Sequence, residues 1–375
     1  MRHHISKSGK VVVCKAENTC PLGTSVGGEA SKLDLKDYIE IKSDEDGRFE
    51  YNKENNLQYT LDEASKRGEY VDKTVTMYIE SQMITSKIHR DPITGEFTKE
   101  RQKLHREILD ELHKKYESVP TDGKVIFSAG LPGSGKTTVL QMLKEENSAY
   151  DMKNYVVVSS DDMKEEFAKR EMIPKIEGLS QMEASTLAHE ESSYLADRFL
   201  EETSTQNKNV IYDFTCKNFD ATSKRMSTLI DSGYEVKNMQ FVFVDIPLET
   251  AQERALIRYR KGLNDSISSD EHAIGGRYLP PYVLETNRSR TGVYSSKNAE
   301  ALLAVKSVYN SSGLPDPIVY DNSGNSFENP EYKPTKVDFE EFQNRSQVKQ
   351  RILSWGFFFF RKKYKKKRSF KIFFY

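Results

Sequence analysis

A glycine-rich segment holds the residues whose types and spacing are best suited to chemistry. Gly130, Gly135, Lys136 and Thr137 match the pattern G-x-x-x-x-G-K-T. Such glycines let backbone N–H groups point inward at phosphate oxygens, while the lysine reaches the β- and γ-phosphates and the threonine hydroxyl takes a Mg²⁺ position. The pattern predicts a site for ATP and Mg²⁺, with Thr137 as metal ligand. The predicted nucleotide contacts are Gly130, Leu131, Pro132, Gly133, Ser134, Gly135, Lys136, Thr137 and Thr138.

Two acidic residues, Asp161 and Asp162, follow the apolar run of "VVVSSDDMK". Open α/β sheets bind ligands beyond the carboxyl ends of their strands, so these carboxylates are expected near the phosphates. Three roles remain open for Asp161. It could take the proton from an acceptor hydroxyl, hold Mg²⁺ through water, or cap the helix that begins there.

A second polar group, Asp213, Thr215 and Lys217, follows the next apolar run in "VIYDFTCK". Its position after a predicted strand matches that of Asp161, so we expect both groups at the same edge of the sheet. Asp213 also suits a metal-binding carboxylate position.

Three arginines lie after the predicted strand 239–245. Arg254 and Arg258 are four residues apart on one predicted helical face, and Arg277 lies in the glycine-flanked segment "AIGGRYLPP". Kinases of small molecules close arginine-bearing lids over the phosphates to exclude water and neutralise charge. These arginines therefore favour a lid, although structural ion pairs are the alternative for any single one.

Short apolar runs alternate with helical stretches along the central part of the chain. This alternation predicts a P-loop α/β fold, a three-layer arrangement with helices on both faces of a parallel sheet. The predicted strands are 125–127, 155–160, 209–215, 239–245 and 317–322. Helical spacing of apolar residues at 73–88 and 98–116 predicts an N-terminal, mainly helical appendage.

Composition divides the chain into four expected regions. They are a polar N-terminal appendage (1–60), a helical region (61–119), a P-loop kinase domain (120–325) and a C-terminal extension (326–375). The last 25 residues of that extension hold nine Lys and Arg and no acid. Such a basic, aromatic tail can bind anionic surfaces, but an unselected extension is the favoured interpretation.

Charge and hydropathy narrow the class of protein. The formal net charge of the chain is −1, so the part before the basic tail is acidic, and no specific nucleic-acid partner is expected. No apolar run is long enough to span a membrane, and the first residues do not resemble a secretory signal. With three cysteines, too few for a disulfide framework, these features predict a cytoplasmic protein.

The sequence lacks the additional motifs of two classes of nucleotide-hydrolysing proteins. GTPases need a downstream N-K-x-D motif that reads guanine, and transport ATPases need an L-S-G-G-type signature, but neither is found in the sequence. Small kinases and simple ATPases remain.

Taken together, the motifs over residues 120–325 resemble the zeta-toxin family of P-loop kinases. The resemblance rests on "GLPGSGKTT", "SSDDMK", "MEASTLAHEESSYLADR", "YDFTCK", "RYRKG" and "GGRYLPP" in that order. His189 and Glu190, in the third of these segments, receive no role and are expected in core packing or on a solvated face. Asp213 and Lys217 depart from the family, because the best-known members have a glutamate and an arginine there.

The resemblance implies an enzyme that transfers the γ-phosphate of ATP to a sugar hydroxyl of UDP-N-acetylglucosamine. It implies Lys136 and Thr137 as ligands for ATP and Mg²⁺, and Asp161 as the base. Asp213, Thr215 and Lys217 would then contact the acceptor together with Asp161. The phosphates would be held by Arg258 and Arg277. An antitoxin protein is the partner that such a family suggests.

Two other functions stay open from the sequence. The chain could phosphorylate another small molecule, such as an antibiotic or a nucleoside. It could instead be a nucleotide-dependent regulatory protein that hydrolyses ATP slowly and acts through its N-terminal region or its tail.

Overall fold

The computed structural model of the protein describes six stretches of the chain. They are residues 2–5, 11–14, 59–268, 274–289, 295–324 and 331–344, with only the backbone described at 2–5, 11–14 and 266–268. The basic, aromatic tail at 351–375 lies outside these residues. Within the region 1–60, β1 (Arg2–Ile5) and β2 (Val11–Cys14) pair antiparallel, with Arg2 opposite Cys14.

A six-stranded sheet forms the centre of the described chain. Its strands are β3 (Val125–Gly130), β4 (Val156–Ser159), β5 (Val210–Phe214), β6 (Met239–Asp245), β7 (Ile318–Asp321) and β8 (Thr335–Val337). They lie in the order β4-β5-β3-β6-β7-β8, in which the first five strands are parallel and β8 is antiparallel to β7.

Burial explains why the sequence reveals the parallel strands and misses the last one. All six residues of β3 are buried, and β6 has buried residues at five of its seven positions. Parallel strands covered on both faces read as continuous apolar runs, and each of the five predicted runs is a strand. In contrast, β8 reads Thr-Lys-Val with no buried residue, so its sequence gives no strand pattern.

Helices cover both faces of the sheet and extend before it, which confirms the predicted α/β architecture. The helices are α1 (Leu61–Glu80), α2 (Thr85–Ile88), α3 (Lys99–Lys115), α4 (Lys136–Glu146), α5 (Ser160–Lys169), α6 (Gln181–Ala184), α7 (His189–Ser204), α8 (Phe219–Asp231), α9 (Leu248–Ser268), α10 (Pro281–Glu285) and α11 (Lys297–Tyr309). No helix in these described stretches is long and apolar enough to cross a membrane.

The N-terminal helices share their core with the sheet. Val71 and Val75 of α1 and Ile108 and Leu109 of α3 belong to the same buried cluster as Phe127 of β3. The region 61–119 is thus packed on the α/β body, and burial of its apolar faces stabilises both parts.

Two buried ion pairs fix the same helices. Arg67 of α1 donates to both carboxylate oxygens of Glu183 at 2.8 and 2.7 Å. Arg101 of α3 binds Glu191 of α7 in the same two-point way at 2.6 and 2.9 Å, and His105 lies 2.6 Å from that carboxylate. Because buried carboxylates are costly without partners, these pairs set the register of the helices on the body.

Candidate functional site

The glycine-rich segment forms a tight loop between β3 and α4. Gly130, Gly133 and Gly135 have φ angles of +147°, +79° and +87°, a region that side chains disfavour. Gly135 is also the N-cap of α4, so Lys136 and Thr137 lie in the first turn of this helix. The positive end of the helix dipole and the exposed N–H groups of that turn make the loop suited to phosphate.

Neighbouring chain segments press on this loop and fix its shape. A Cβ at Gly130 would lie 2.6 Å from the carbonyl oxygen of Val244, and one at Gly135 would lie 2.5 Å from Nδ2 of Asn322. Asn322 donates to the carbonyl oxygen of Ser134 at 2.6 Å. No local pattern predicts a role for Asn322, because this role depends on the contact between the end of β7 and the loop.

Lys136 lies between the loop and the end of β5. Its Nζ is 3.7 Å from Oδ1 of Asp213, an oxygen that has no hydrogen-bond partner among the described residues. Ser128 of β3 lies opposite Asp213 in the sheet, which explains the approach. Thr137 and Thr138 are exposed at the start of α4. The structure therefore brings the predicted lysine, carboxylate and hydroxyl to one edge of the sheet.

Asp161 lies in the first turn of α5 and is not the cap of this helix. The N-cap is Ser159, whose hydroxyl accepts from the backbone N–H of Asp161 at 3.1 Å. The capping interpretation of Asp161 is therefore wrong. Ser159 pairs with Asp213 across β4 and β5, so Asp161 follows the strand next to the one that carries Asp213.

Lys164, one turn along α5, binds Asp161 directly. Its ammonium lies 2.7 Å from Oδ1 of Asp161, and the lysine is only 1% exposed. Desolvation by the surrounding protein opposes ionisation of Asp161, although its side chain reaches solvent, but the charges of Lys164 and Arg277 outweigh it and hold the pKa of that carboxyl well below its usual range. Burial, with Arg277 nearby, lowers the pKa of Lys164 to about 8. Lys164 was not among the residues predicted from the sequence, although an acid–base spacing of i, i+3 on a helix is a readable signal.

Arg277 approaches the same carboxylate from the segment after α9. Its Nη1 lies 3.9 Å from Oδ1 of Asp161 and has no hydrogen-bond partner within the described part of the chain. Arg258 of α9 is exposed, and its charge also lowers the pKa of Asp161. Both predicted phosphate-binding arginines therefore lie near Asp161.

Arg254 has a different place from the other two arginines. Its guanidinium lies 3.5 Å from the carbonyl oxygen of Gly133 and donates to that of Gly324 at 2.6 Å. A Cβ at Gly133 would lie 3.3 Å from Cβ of Arg254. Arg254 thus packs on the outside of the phosphate loop and links it to the chain after β7.

Thr215 and Lys217 continue from Asp213 towards α10 and α11. The carbonyl oxygen of Thr215 accepts from the side-chain amide of Asn298, and Lys217 donates to the hydroxyl of Thr286 at 2.5 Å. Burial, with the charge of Lys297, lowers the pKa of Lys217. These contacts hold the polar segment after β5 beside the edge that carries Lys136.

His189, for which the sequence suggested no function, has an exposed side chain near Lys164 and Arg277. Desolvation by the surrounding protein, followed by the charges of these two residues, lowers the pKa of His189, so the imidazole is neutral at pH 7. Its neighbour Glu190 is exposed and accepts from the hydroxyl of Ser86 at 2.6 Å. Glu190 therefore ties α7 to α2.

A family model decides the relationship of the chain to known proteins. The model described as Zeta toxin matches residues 108–313, which is more than half of the chain. The chain belongs to the zeta toxin family. The matched range includes the phosphate loop, Asp161, Asp213 and the segment of Arg277, and it begins within α3.

The solved structures that match the chain are only distantly similar to it. The complex of AvrRxo1-ORF1 and AvrRxo1-ORF2 with sulphate ions is 19% identical, covers 64% of this chain and 67% of its own, and gives a TM-score of 0.45. The PezAT toxin–antitoxin system of Streptococcus pneumoniae is 15% identical, with coverages of 70% and 94% and a TM-score of 0.41. A putative kinase from Chloroflexus aurantiacus is 17% identical, with coverages of 60% and 97% and a TM-score of 0.34. No curated protein matches the chain.

Proposed function

We propose that the protein is a kinase that uses ATP and Mg²⁺ to phosphorylate a hydroxyl group of a nucleotide sugar, with UDP-N-acetylglucosamine as the first acceptor to test. The observation that carries the proposal is the placement of Asp161. Its carboxylate lies at the end of β4, one strand from Asp213, and Arg277 approaches it at 3.9 Å. A carboxylate next to a phosphate loop and a lid arginine suits phosphoryl transfer to an acceptor.

The phosphate loop supplies the donor half of this site. Lys136 and the N–H groups of the first turn of α4 would hold the β- and γ-phosphates. Nη1 of Arg277 has no hydrogen-bond partner among the described residues, and the guanidinium of Arg258 is exposed. Both groups would neutralise charge on the migrating phosphoryl group. Both arginines lie after β6 in the chain. In the proposed reaction, their side chains would cover the nucleotide as a lid.

The exposed hydroxyl of Thr137 fits a bound Mg²⁺. This hydroxyl lies in the first turn of α4, and Oδ1 of Asp213 at the end of β5 accepts no hydrogen bond from the described residues, although Lys136 lies 3.7 Å away. Mg²⁺ in such sites keeps several waters and takes only one or two protein ligands besides the substrate phosphates. When bound, the ion would neutralise charge on the β- and γ-phosphates.

The transfer needs only one proton acceptor from the protein. The oxygen of the acceptor hydroxyl forms a bond to the γ-phosphorus as the bond from this phosphorus to the β-phosphate oxygen breaks, and ADP leaves. The hydroxyl proton passes to Asp161. A carboxylate with a lowered pKa is a weak base, which suffices because the transition state of phosphoryl transfer is largely dissociative.

Acceptor binding is assigned to the segment after β5. Asp213, Thr215 and Lys217 lie beside Lys136 at the same sheet edge, and their polar groups suit the hydroxyls and phosphates of a nucleotide sugar. Family membership supports this acceptor class and an antitoxin protein as partner. ATP and nucleotide sugars are cytoplasmic metabolites, so the reaction is proposed for the cytoplasm.

The test is a screen of nucleotide sugars with purified protein, ATP and Mg²⁺. We expect one acceptor, detected by mass spectrometry, to gain a phosphoryl group, and ADP release to depend on that acceptor. The Lys136→Ala variant is the control and should give neither signal. ADP release that is equal with and without every acceptor, with no mass gain, would overturn the proposal and favour slow ATP hydrolysis.

A further inference from the structure

Helix α1 lies outside the range 108–313 that matches the family, and it contacts the segment that carries Arg277. The clearest contact is at Gly68. A Cβ built on Gly68 would lie 2.1 Å from Cε2 of Tyr278 and 2.3 Å from its Cδ2. The ring of Tyr278 therefore rests directly on the backbone of α1, at a place where any side chain larger than hydrogen would collide with it.

Further contacts join α1 to the same ring. Tyr259 of α9 lies 5.2 Å from Tyr278 between ring centroids, and its hydroxyl donates to Glu183 at 2.7 Å. Glu183 is held in turn by Arg67, the neighbour of Gly68 in α1. One turn away, Asp72 of α1 accepts from the hydroxyl of Tyr282 at 3.0 Å. Helix α1 thus holds the chain after Arg277 at two points, Tyr278 and Tyr282.

The opposite side of the segment is packed just as closely. A Cβ at Gly276 would lie 2.6 Å from the carbonyl oxygen of Arg258, and a Cβ at Gly262 would lie 2.7 Å from that of Gly275. The backbone before Arg277 is therefore pressed against α9, while Tyr278 directly after it is pressed against α1. These close contacts fix the backbone on either side of Arg277, so its side chain extends from a set position.

We propose that α1 is a positioning element of the catalytic unit, and that Gly68 is its positioning residue: by seating the ring of Tyr278, it sets where the Arg277 guanidinium meets the transferred phosphoryl group. This inference rests on the proposed kinase function. It adds that an element outside the family match decides the geometry of the lid arginine. A purely structural role for α1 would instead affect stability without affecting turnover.

The test compares Gly68→Ala with Lys73→Ala, an exposed position of the same helix. Alanine favours helix more than glycine does, so a loss of activity in Gly68→Ala cannot come from a weakened α1. We expect kcat to fall by ~10- to 10²-fold through misplacement of Arg277, with unchanged ATP affinity. Lys73→Ala should match the parent. Parent-like kcat in a folded Gly68→Ala protein would overturn the inference.

A second variant covers the case in which Gly68→Ala does not fold. Tyr278→Ala removes the ring and introduces no collision, and it should also lower kcat without lowering ATP affinity. In its background, Gly68→Ala should cost little more, because the two changes act on one contact. Full activity of Tyr278→Ala, or additive losses in the double variant, would contradict the inference.

Hydrogen exchange separates this inference from the proposed function. Exchange of the segment 274–289 needs no acceptor, and it should speed up in both variants relative to the parent. If the parent phosphorylates no acceptor but the exchange responds, the proposed function fails while the contact stands. If the parent is active and neither exchange nor kcat responds, the positioning role fails.

Discussion

The ammonium of Lys164 lies 2.7 Å from Oδ1 of Asp161, and it joins one of the most buried side chains of the protein to a carboxylate that is 65% exposed. The lysine donates to one of the two carboxylate oxygens of Asp161. In the proposed reaction, the other oxygen would take the proton of the acceptor hydroxyl. This pair orients the proposed base, and it makes the charge of Lys164 part of the site.

The pH dependence of turnover should report on this pair. Burial, with Arg277, lowers the pKa of Lys164 to about 8, so the ammonium loses its proton as the pH rises through that value. Asp161 then loses its partner, and kcat should fall on the alkaline side. In Lys164→Arg the guanidinium stays charged, so the alkaline fall should move to higher pH. An identical profile in a folded Lys164→Arg protein would show that Lys164 does not control the base.

Asp161→Asn should test the base assignment itself. Asparagine keeps the size of the side chain but cannot take the hydroxyl proton, so we expect turnover to fall by at least ~10²-fold while ATP still binds. The measurement is kcat across a Mg²⁺ titration with ATP affinity in parallel. Recovery at high Mg²⁺ would move Asp161 to the metal site, and near-normal turnover would remove it from the mechanism.

Asp162→Asn should stabilise the protein at neutral pH. Burial, followed by the charge of Glu165, raises the pKa of Asp162 from 3.8 to about 6. The folded state therefore loses stability relative to the unfolded chain as the pH rises from about 4 to about 6. Removal of this charge should add on the order of 1–2 kcal/mol at pH 7, after allowance for solvent screening, and almost nothing below pH 4. Urea unfolding at the two pH values measures the difference, and equal gains at both would contradict it.

Lys136→Ala should abolish phosphoryl transfer and leave the fold intact. The lysine faces the phosphate loop and lies 3.7 Å from Asp213, away from the apolar core. We expect kcat to fall by ~10²- to 10³-fold or more. Lys144→Ala on the same helix is the matched control, because its ion pair with Asp151 is at the surface. Equal activity of Lys136→Ala and the parent, both folded by circular dichroism, would exclude the loop from the mechanism.

The buried carboxylate of Glu191 should make α3 essential for stability. Burial opposes its charge, but hydrogen bonds from His105 and Arg101 lower the pKa of Glu191 to about 2. Its stabilisation is present above pH 4.5 and is lost as the pH falls towards 2. Arg101→Met removes the two-point charged partner of this carboxylate, leaves His105 beside it, and should lower the free energy of unfolding by up to ~3–5 kcal/mol at pH 7. Lys103→Ala, an exposed position of α3, is the control, and equal losses in both variants would rule out the pair as the cause.

The sequence by itself determined the parallel strands and the phosphate loop. The runs of β3 and β6 are apolar because both faces of these strands are buried, and such runs are readable without a structure. The loop is readable because only glycine suits its backbone angles and because the lysine and threonine that follow it are fixed by chemistry. The sites of Asp161 and Asp213 follow from the rule that ligands bind at the carboxyl ends of parallel strands.

Only the tertiary structure decided which side chains meet at this edge. Asn322 contacts Ser134, Arg254 contacts the phosphate loop, and Lys164 binds Asp161, whose helix is capped by Ser159. The contact of Gly68 with Tyr278 joins residues 210 positions apart. A sequence pattern reports the periodicity within one helix or strand. These contacts instead depend on how helices and strands that are far apart in the sequence pack together, which no local pattern records.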